Sequence, residues 1–132
     1  DTPNKARLRS LDEKLEQSLN SVSFAVFSAY KDTSKLEDGY NLKEMVAISY
    51  ADLVDKNITY RKVSNEEFEL CVDFNFGSHL QMGETKNFDL PWLSHQAGHQ
   101  CYILNAQKQS EKYFQDISIP VDAYRSVPQT AR

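Results

Sequence analysis

Leu8, Leu11, Leu15, Leu19, Val22, Val26 and the pair Ala29/Tyr30 recur at steps of three and four, the apolar stripe of an amphipathic helix. Pro3 suits a first-turn position and no Gly or Pro interrupts before Gly39, so the pattern predicts a helix over about 4–31. Arg7, Arg9, Asp12, Glu13, Lys14, Glu16 and Gln17 are expected to line its solvated face. From Val22 onward Phe24 and Phe27 widen the apolar side, which predicts a helix that begins exposed and ends buried nearly all round.

Downstream the period changes. Asn41 is placed to cap a short amphipathic segment, Leu42 to Ile48, and Asp55-Lys56-Asn57 reads as a turn. Ile58 to Val63 resembles a strand, with Ser64 to Glu67 as a hairpin connection. Phe68, Leu70, Val72, Phe74 and Phe76 then alternate with polar residues, the signature of a half-buried strand, which puts Cys71 on the opposite face. Gly77 to Gly98 reads as a long polar loop, and Gln100 to Leu104 as a third strand carrying Cys101. A short alternation at Tyr113, Ile117, Ile119 and Val121 follows, stopped by Pro120 and Pro128, and Ser126 to Arg132 is expected to fray. These elements predict one α+β domain over 1–132: a long N-terminal helix on a small antiparallel sheet at about 57–105, then an extension over 106–132.

Composition narrows the class. A chain of 132 residues with 40% hydrophobic content, seven Phe, seven Tyr and one Trp buries a core and is not a disordered segment. Fifteen basic residues are scattered among nineteen acidic ones, for a net charge of −4, which offers no cationic footprint for nucleic acid or anionic membranes. No apolar run approaches the ~20 residues of a membrane helix. The chain starts at Asp1 without an initiator Met, and the expectation is that an anchoring or targeting segment precedes it.

The two cysteines, Cys71 and Cys101, sit in similar strand-like contexts and are expected to form a disulfide between neighbouring strands, which implies an oxidising compartment. The alternative is two buried thiols in a reducing one. A distant pair without the CxxC form of redox or zinc sites argues against a redox or metal role for them. Trp92, His95 and Tyr102 are the candidate interaction residues, with Trp92 expected to pack the loop onto the sheet beneath the disulfide. His95 and His99 lie four apart with His79 upstream, but Gly98 between them argues against a helical metal pair. His95 is expected to bond loop backbone and His99 to be exposed. No GxSxG, glycine-rich phosphate loop, HExxH or paired-carboxylate motif is present, so no catalytic residue, metal or cofactor is assigned. Asn57-Ile58-Thr59 matches the glycosylation triplet, a pattern common by chance.

Taken together, Arg7-Leu8, Leu11 and Leu15, then Gly39-Tyr40, Leu42 and Met45, then Ile58-Thr59-Tyr60 and Phe68 to Val72, and finally Trp92, His95, Gly98 and Cys101-Tyr102 resemble the extracytoplasmic part of type IV pilin-like or pseudopilin-like bacterial membrane proteins. Asn41 stands where such sequences usually place Pro, and the chain runs 30 residues beyond Tyr102. The resemblance implies a non-enzymatic, membrane-anchored subunit in the periplasm or at the cell surface. Its helix would serve protein partners or self-assembly, and its disulfide-held loop would serve display or adhesion. A second expectation is a periplasmic or cell-surface ligand-binding module using the Trp92/His95 loop. A third, a small metalloenzyme using His79, His95 and His99, ranks well behind.

Overall fold

Thr2 sets the start of the first helix. A computed structural model of the chain describes residues 2–46, 50–78 and 90–112, and there the Thr2 hydroxyl accepts from the Lys5 amide at 3.2 Å while Pro3 takes the first helical position. Helix α1 runs Pro3–Thr33, 31 residues, and stops on Ser34 in left-handed backbone at φ 62°, whose amide donates to the Tyr30 carbonyl. Residues 2–7 are all exposed, and the buried face begins at Asp12 and Leu15. Leu15, Leu19, Val22, Val26, Phe27 and Tyr30 then form the predicted stripe. Phe24 departs from the expectation of a helix buried nearly all round, because it is 39% exposed. Two residues past Val22 it sits about 200° further round the axis, and the sheet covers one side only.

Asn41 caps α2, Leu42–Met45, by accepting from the Glu44 amide at 3.2 Å, as predicted; residues 47–49 lie outside the described residues. The expected turn at Asp55-Lys56-Asn57 is instead the last part of a helix, α3, Ala51–Asn57. Its polar residues mislead because Asp55 and Lys56 are the exposed face, while Val54 alone is fully buried.

Three antiparallel strands follow in the order β1-β2-β3: β1 Ile58–Lys62, β2 Glu67–Phe74 and β3 Gly98–Asn105. Ile58 pairs with Val72 and Tyr60 with Leu70; across the other edge Phe68 pairs with Leu104, Leu70 with Tyr102 and Cys71 with Cys101. The alternation in β2 therefore turns Phe68, Leu70, Val72 and Phe74 inward against α1, each at most 4% exposed. Phe27 meets Phe68 edge-on at 5.8 Å, and Tyr60 stacks on Phe68 while donating its hydroxyl to the Glu37 carbonyl at 2.9 Å. Removing side chains of this size from water contributes roughly 1.5–3 kcal/mol each, which accounts for the helix lying on the sheet.

A short 3-10 turn at Pro91–Leu93 leads into β3, and residues 106–112 leave it as a further helix with Ala106 and Ser110 buried. The expected alternation at Tyr113 to Val121 and the end at Ser126 to Arg132 lie outside the described residues. Among the described residues no helix is long and apolar enough to cross a membrane.

Candidate functional site

Asp12, Glu16 and Asn20 follow one another at steps of four, so on α1 they form a polar row beside the apolar stripe. Each holds a different part of the chain. Asp12, expected on the solvated face, is 5% exposed: one carboxylate oxygen accepts from the Asn75 amide at 2.9 Å and its side-chain nitrogen at 3.1 Å, the other from the Phe76 amide at 2.8 Å. These groups lie just beyond the end of β2, where the ladder no longer supplies partners, and a carboxylate is the strongest neutral-pH acceptor available to them. The guanidinium of Arg9 lies 4.6 Å from the centre of the Phe76 ring, which closes this end of the row.

Glu16 reaches the candidate loop. Its Oε2 lies 2.7 Å from Nε2 of His95, whose side chain is 1% exposed and stacks on Phe74 at 3.5 Å between ring centres. The second imidazole nitrogen lies 3.3 Å from the Gln96 carbonyl, the backbone contact expected for His95, and the backbone of His95 exchanges bonds with Ser78. Burial raises the pKa of Glu16 above 4.5, against the opposing pull of the bonded His95 and with some help from Glu13 and Asp12. The folded state thus keeps the Glu16 proton to higher pH than the unfolded chain does. The stability from that proton is complete below pH 4.5 and is lost as pH rises through the folded value. Wild-type stability relative to Glu16→Gln, measured by urea unfolding, is accordingly expected to fall as pH climbs from 4.5 towards neutrality. A difference that stays flat or grows over that range would contradict the assignment.

Asn20 completes the row. Its side-chain oxygen accepts from the Trp92 indole at 2.6 Å, and Trp92 is 0% exposed with its ring edge-on to Tyr102 at 5.8 Å. Tyr102 pairs with Leu70 and faces α1, so Trp92 lies on the helix side of the sheet. That corrects the expectation of Trp92 beneath the disulfide. The bridge occupies the outer face, and the larger apolar ring goes where it can be covered on both sides. Burial, with the Glu16 charge nearby, pushes Tyr102 up to about 12, and its buried hydroxyl has no partner among the described residues. Trp92 is therefore brought against Tyr102 while His95 is held one turn earlier along α1 at Glu16; Trp92 and His95 are buried and Tyr102 is partly so. Beside them a cleft of about 170 Å³ opens between Arg9, Glu13, Glu16, Phe76, Ser78 and His95.

On the other face of the sheet Cys71 and Cys101 are bonded, with their Cα atoms 4.1 Å apart in directly opposed positions. His99, exposed as predicted, is Asp73's partner across the strands: Nδ1 lies 2.8 Å from the Asp73 carboxylate and Nε2 lies 3.4 Å from Sγ of Cys101. The ligand atoms of Cys71, His99 and Cys101 lie within 4.8 Å of one another, but sulfurs bonded to each other are not thiolate ligands. His95 and His99 face opposite sides of the sheet, and His79 lies outside the described residues. Asp12 and Glu16, expected on the solvated face, and Asn20, for which the sequence suggests no role, share a repeat of four, but their partners, 63 to 79 residues away, appear only in the fold.

Comparison with protein-family models, with curated proteins and with solved structures finds no match to this chain.

Proposed function

We propose that the domain is a non-enzymatic, extracytoplasmic subunit of pilin-like design, membrane-anchored, that associates with further copies of itself through α1. The observation that carries this reading is the first third of that helix. Leu8 and Leu11 continue the apolar stripe towards the N-terminus but are only half-buried, and residues 2–7 are exposed on every side. A helix of 31 residues spans about 46 Å, more than the sheet covers. The exposed Lys5 and Arg7 precede the exposed Glu13, so staggered copies bring opposite charges level while covering the leucines. The disulfide supports the compartment, since such bonds persist in oxidising surroundings.

Sedimentation of the chain over a range of concentrations tests the reading. Association is expected for wild type and its loss for the double variant Leu8→Glu/Leu11→Glu, whose melting temperature should stay near wild type because both positions lie outside the fully buried core. A wild-type chain that remains monomeric at high micromolar concentration would overturn it.

A second reading, a ligand-binding module, is favoured by the cleft beside His95. Its volume of about 170 Å³ is below the usual ~300 Å³ of a drug-sized pocket and suits a small zwitterionic group between Arg9 and Glu13. Trp92 is covered and offers such a ligand no face.

A further inference from the structure

The outer face of the sheet carries a row of groups that neither reading uses. Two cross-strand pairs lie side by side there, Cys71 opposite Cys101 and Asp73 opposite His99. Period-two alternation sends all four side chains to the same side. Cys101 is exposed, Cys71 partly so, and the side chains of His99 and Asp73 are 65% and 73% exposed. The Asp73 carboxylate can only accept, so it holds the proton on Nδ1 of His99, at 2.8 Å, and leaves Nε2 turned to the Cys101 sulfur at 3.4 Å. An imidazole oriented by a carboxylate and aimed at one sulfur of an exposed disulfide is the arrangement that lets that sulfur leave as a protonated thiol.

We propose that Cys71, Cys101, His99 and Asp73 form a thiol–disulfide exchange site whose substrate is a thiol, RSH, reacting as its thiolate. After RSH gives its proton to solvent, the thiolate attacks Sγ of Cys71 and forms a new S–S bond. The Cys71–Cys101 bond breaks, its electron pair passes to Sγ of Cys101, and the proton on Nε2 of the His99 imidazolium moves to that sulfur. Asp73 holds the ring in place and balances its charge before the transfer. A second thiolate then attacks the substrate sulfur of the mixed disulfide, releasing Cys71 as a thiol after solvent protonation and giving RSSR. Two electrons have passed from two thiols to the protein disulfide, and a low-molecular-weight disulfide runs the sequence backwards. In that direction neutral Nε2 takes the proton from Cys101. The exchange is stoichiometric, so it is compatible with a subunit that is not an enzyme.

The spacing of the cysteines excludes only the CxxC type of redox site, where the two thiols are neighbours in sequence. Here the assisting groups reach the bridge through strand register. Ile103, next along β3 on the same side and 56% exposed, gives an approaching thiol an apolar flank.

Reduced glutathione and a single-cysteine unstructured peptide serve as the two probes, with acid quench, alkylation and mass spectrometry as the readout. The expected result is a mixed disulfide at Cys71 with Cys101 alkylated. His99→Ala should slow its formation about tenfold, a modest share of what a positioned general acid supplies. Asp73→Asn should slow it less. Circular dichroism melts serve as a control, since both side chains are exposed and their loss should leave the fold intact. Reaction with glutathione alone would mark a small thiol as substrate, and reaction with both probes a general thiolate site. Adducts found chiefly on Cys101, or rates within twofold of wild type in both variants, would overturn the proposal.

Discussion

Trp92→Ala is expected to destabilise the domain by about 3–5 kcal/mol, the range for truncating a fully buried aromatic side chain. The indole is 0% exposed, wedged between Asn20 on α1 and Tyr102 on β3, so its removal leaves a void flanked by two elements that cannot close independently. Part of the loss belongs to the hydrogen bond and part to the ring. Asn20→Ala separates them, since it leaves the indole in place with a buried N–H unpaired and should cost about 1–3 kcal/mol. Urea unfolding of the two variants, compared with wild type, gives both numbers. A loss below about 1.5 kcal/mol for Trp92→Ala would mean that the 3-10 turn is a surface appendage and not a part of the core.

The second large effect concerns the bridge. Replacing both Cys71 and Cys101 by Ala is expected to cost about 3.5 kcal/mol under non-reducing conditions, from the entropy of a closed loop spanning 30 residues. That loop contains the 3-10 turn and His95, so the unfolded chain regains the freedom of the whole connection between β2 and β3. The opposed positions in the strand ladder persist without the bond, and a domain of ordinary stability, ~5–15 kcal/mol, remains folded after the loss. The thiol exchange chemistry requires that reserve. A change below about 1 kcal/mol would show that the unfolded chain is already compact around these residues and would remove the entropic account.

How much of this was readable in the chain depends on whether a feature is local. The strict alternation of Phe68 to Phe74 located β2, its buried face and the outward side of Cys71, because period two is a property of adjacent residues. The stripe from Leu15 to Tyr30 did the same for α1, and Asn41 announced the start of α2. Helix α3 escaped because Asp55-Lys56-Asn57 has turn composition while the helix needs only Val54 buried to be held. Phe24 was overcounted because apolarity does not say which side a neighbour will cover. Asp12 and Glu16 were misassigned for a related reason: beside Arg9 and Lys14 they look like a solvated face, and only tertiary structure brings the amides of Asn75 and Phe76 and the ring of His95 to them. Similarly, Asp73 and His99 are unremarkable until the register of β2 and β3 sets them beside the disulfide.

The row Asp12, Glu16, Asn20 has a further consequence, which concerns angle and not strength. An apolar stripe is indifferent to small rotations, since dispersion and the exclusion of water have no preferred direction, and leucines facing a sheet can slide. Hydrogen bonds between 2.6 and 3.1 Å cannot. Advancing α1 by one residue would turn it through about 100° and lift it 1.5 Å, breaking every bond of the row at once. The core stripe therefore says that the helix lies on the sheet, while the three polar residues act as a vernier that sets its phase. Because their partners come from the end of β2 and from the segment before β3, that phase is transmitted to both ends of the connection between the two strands, and aligns them to one common axis.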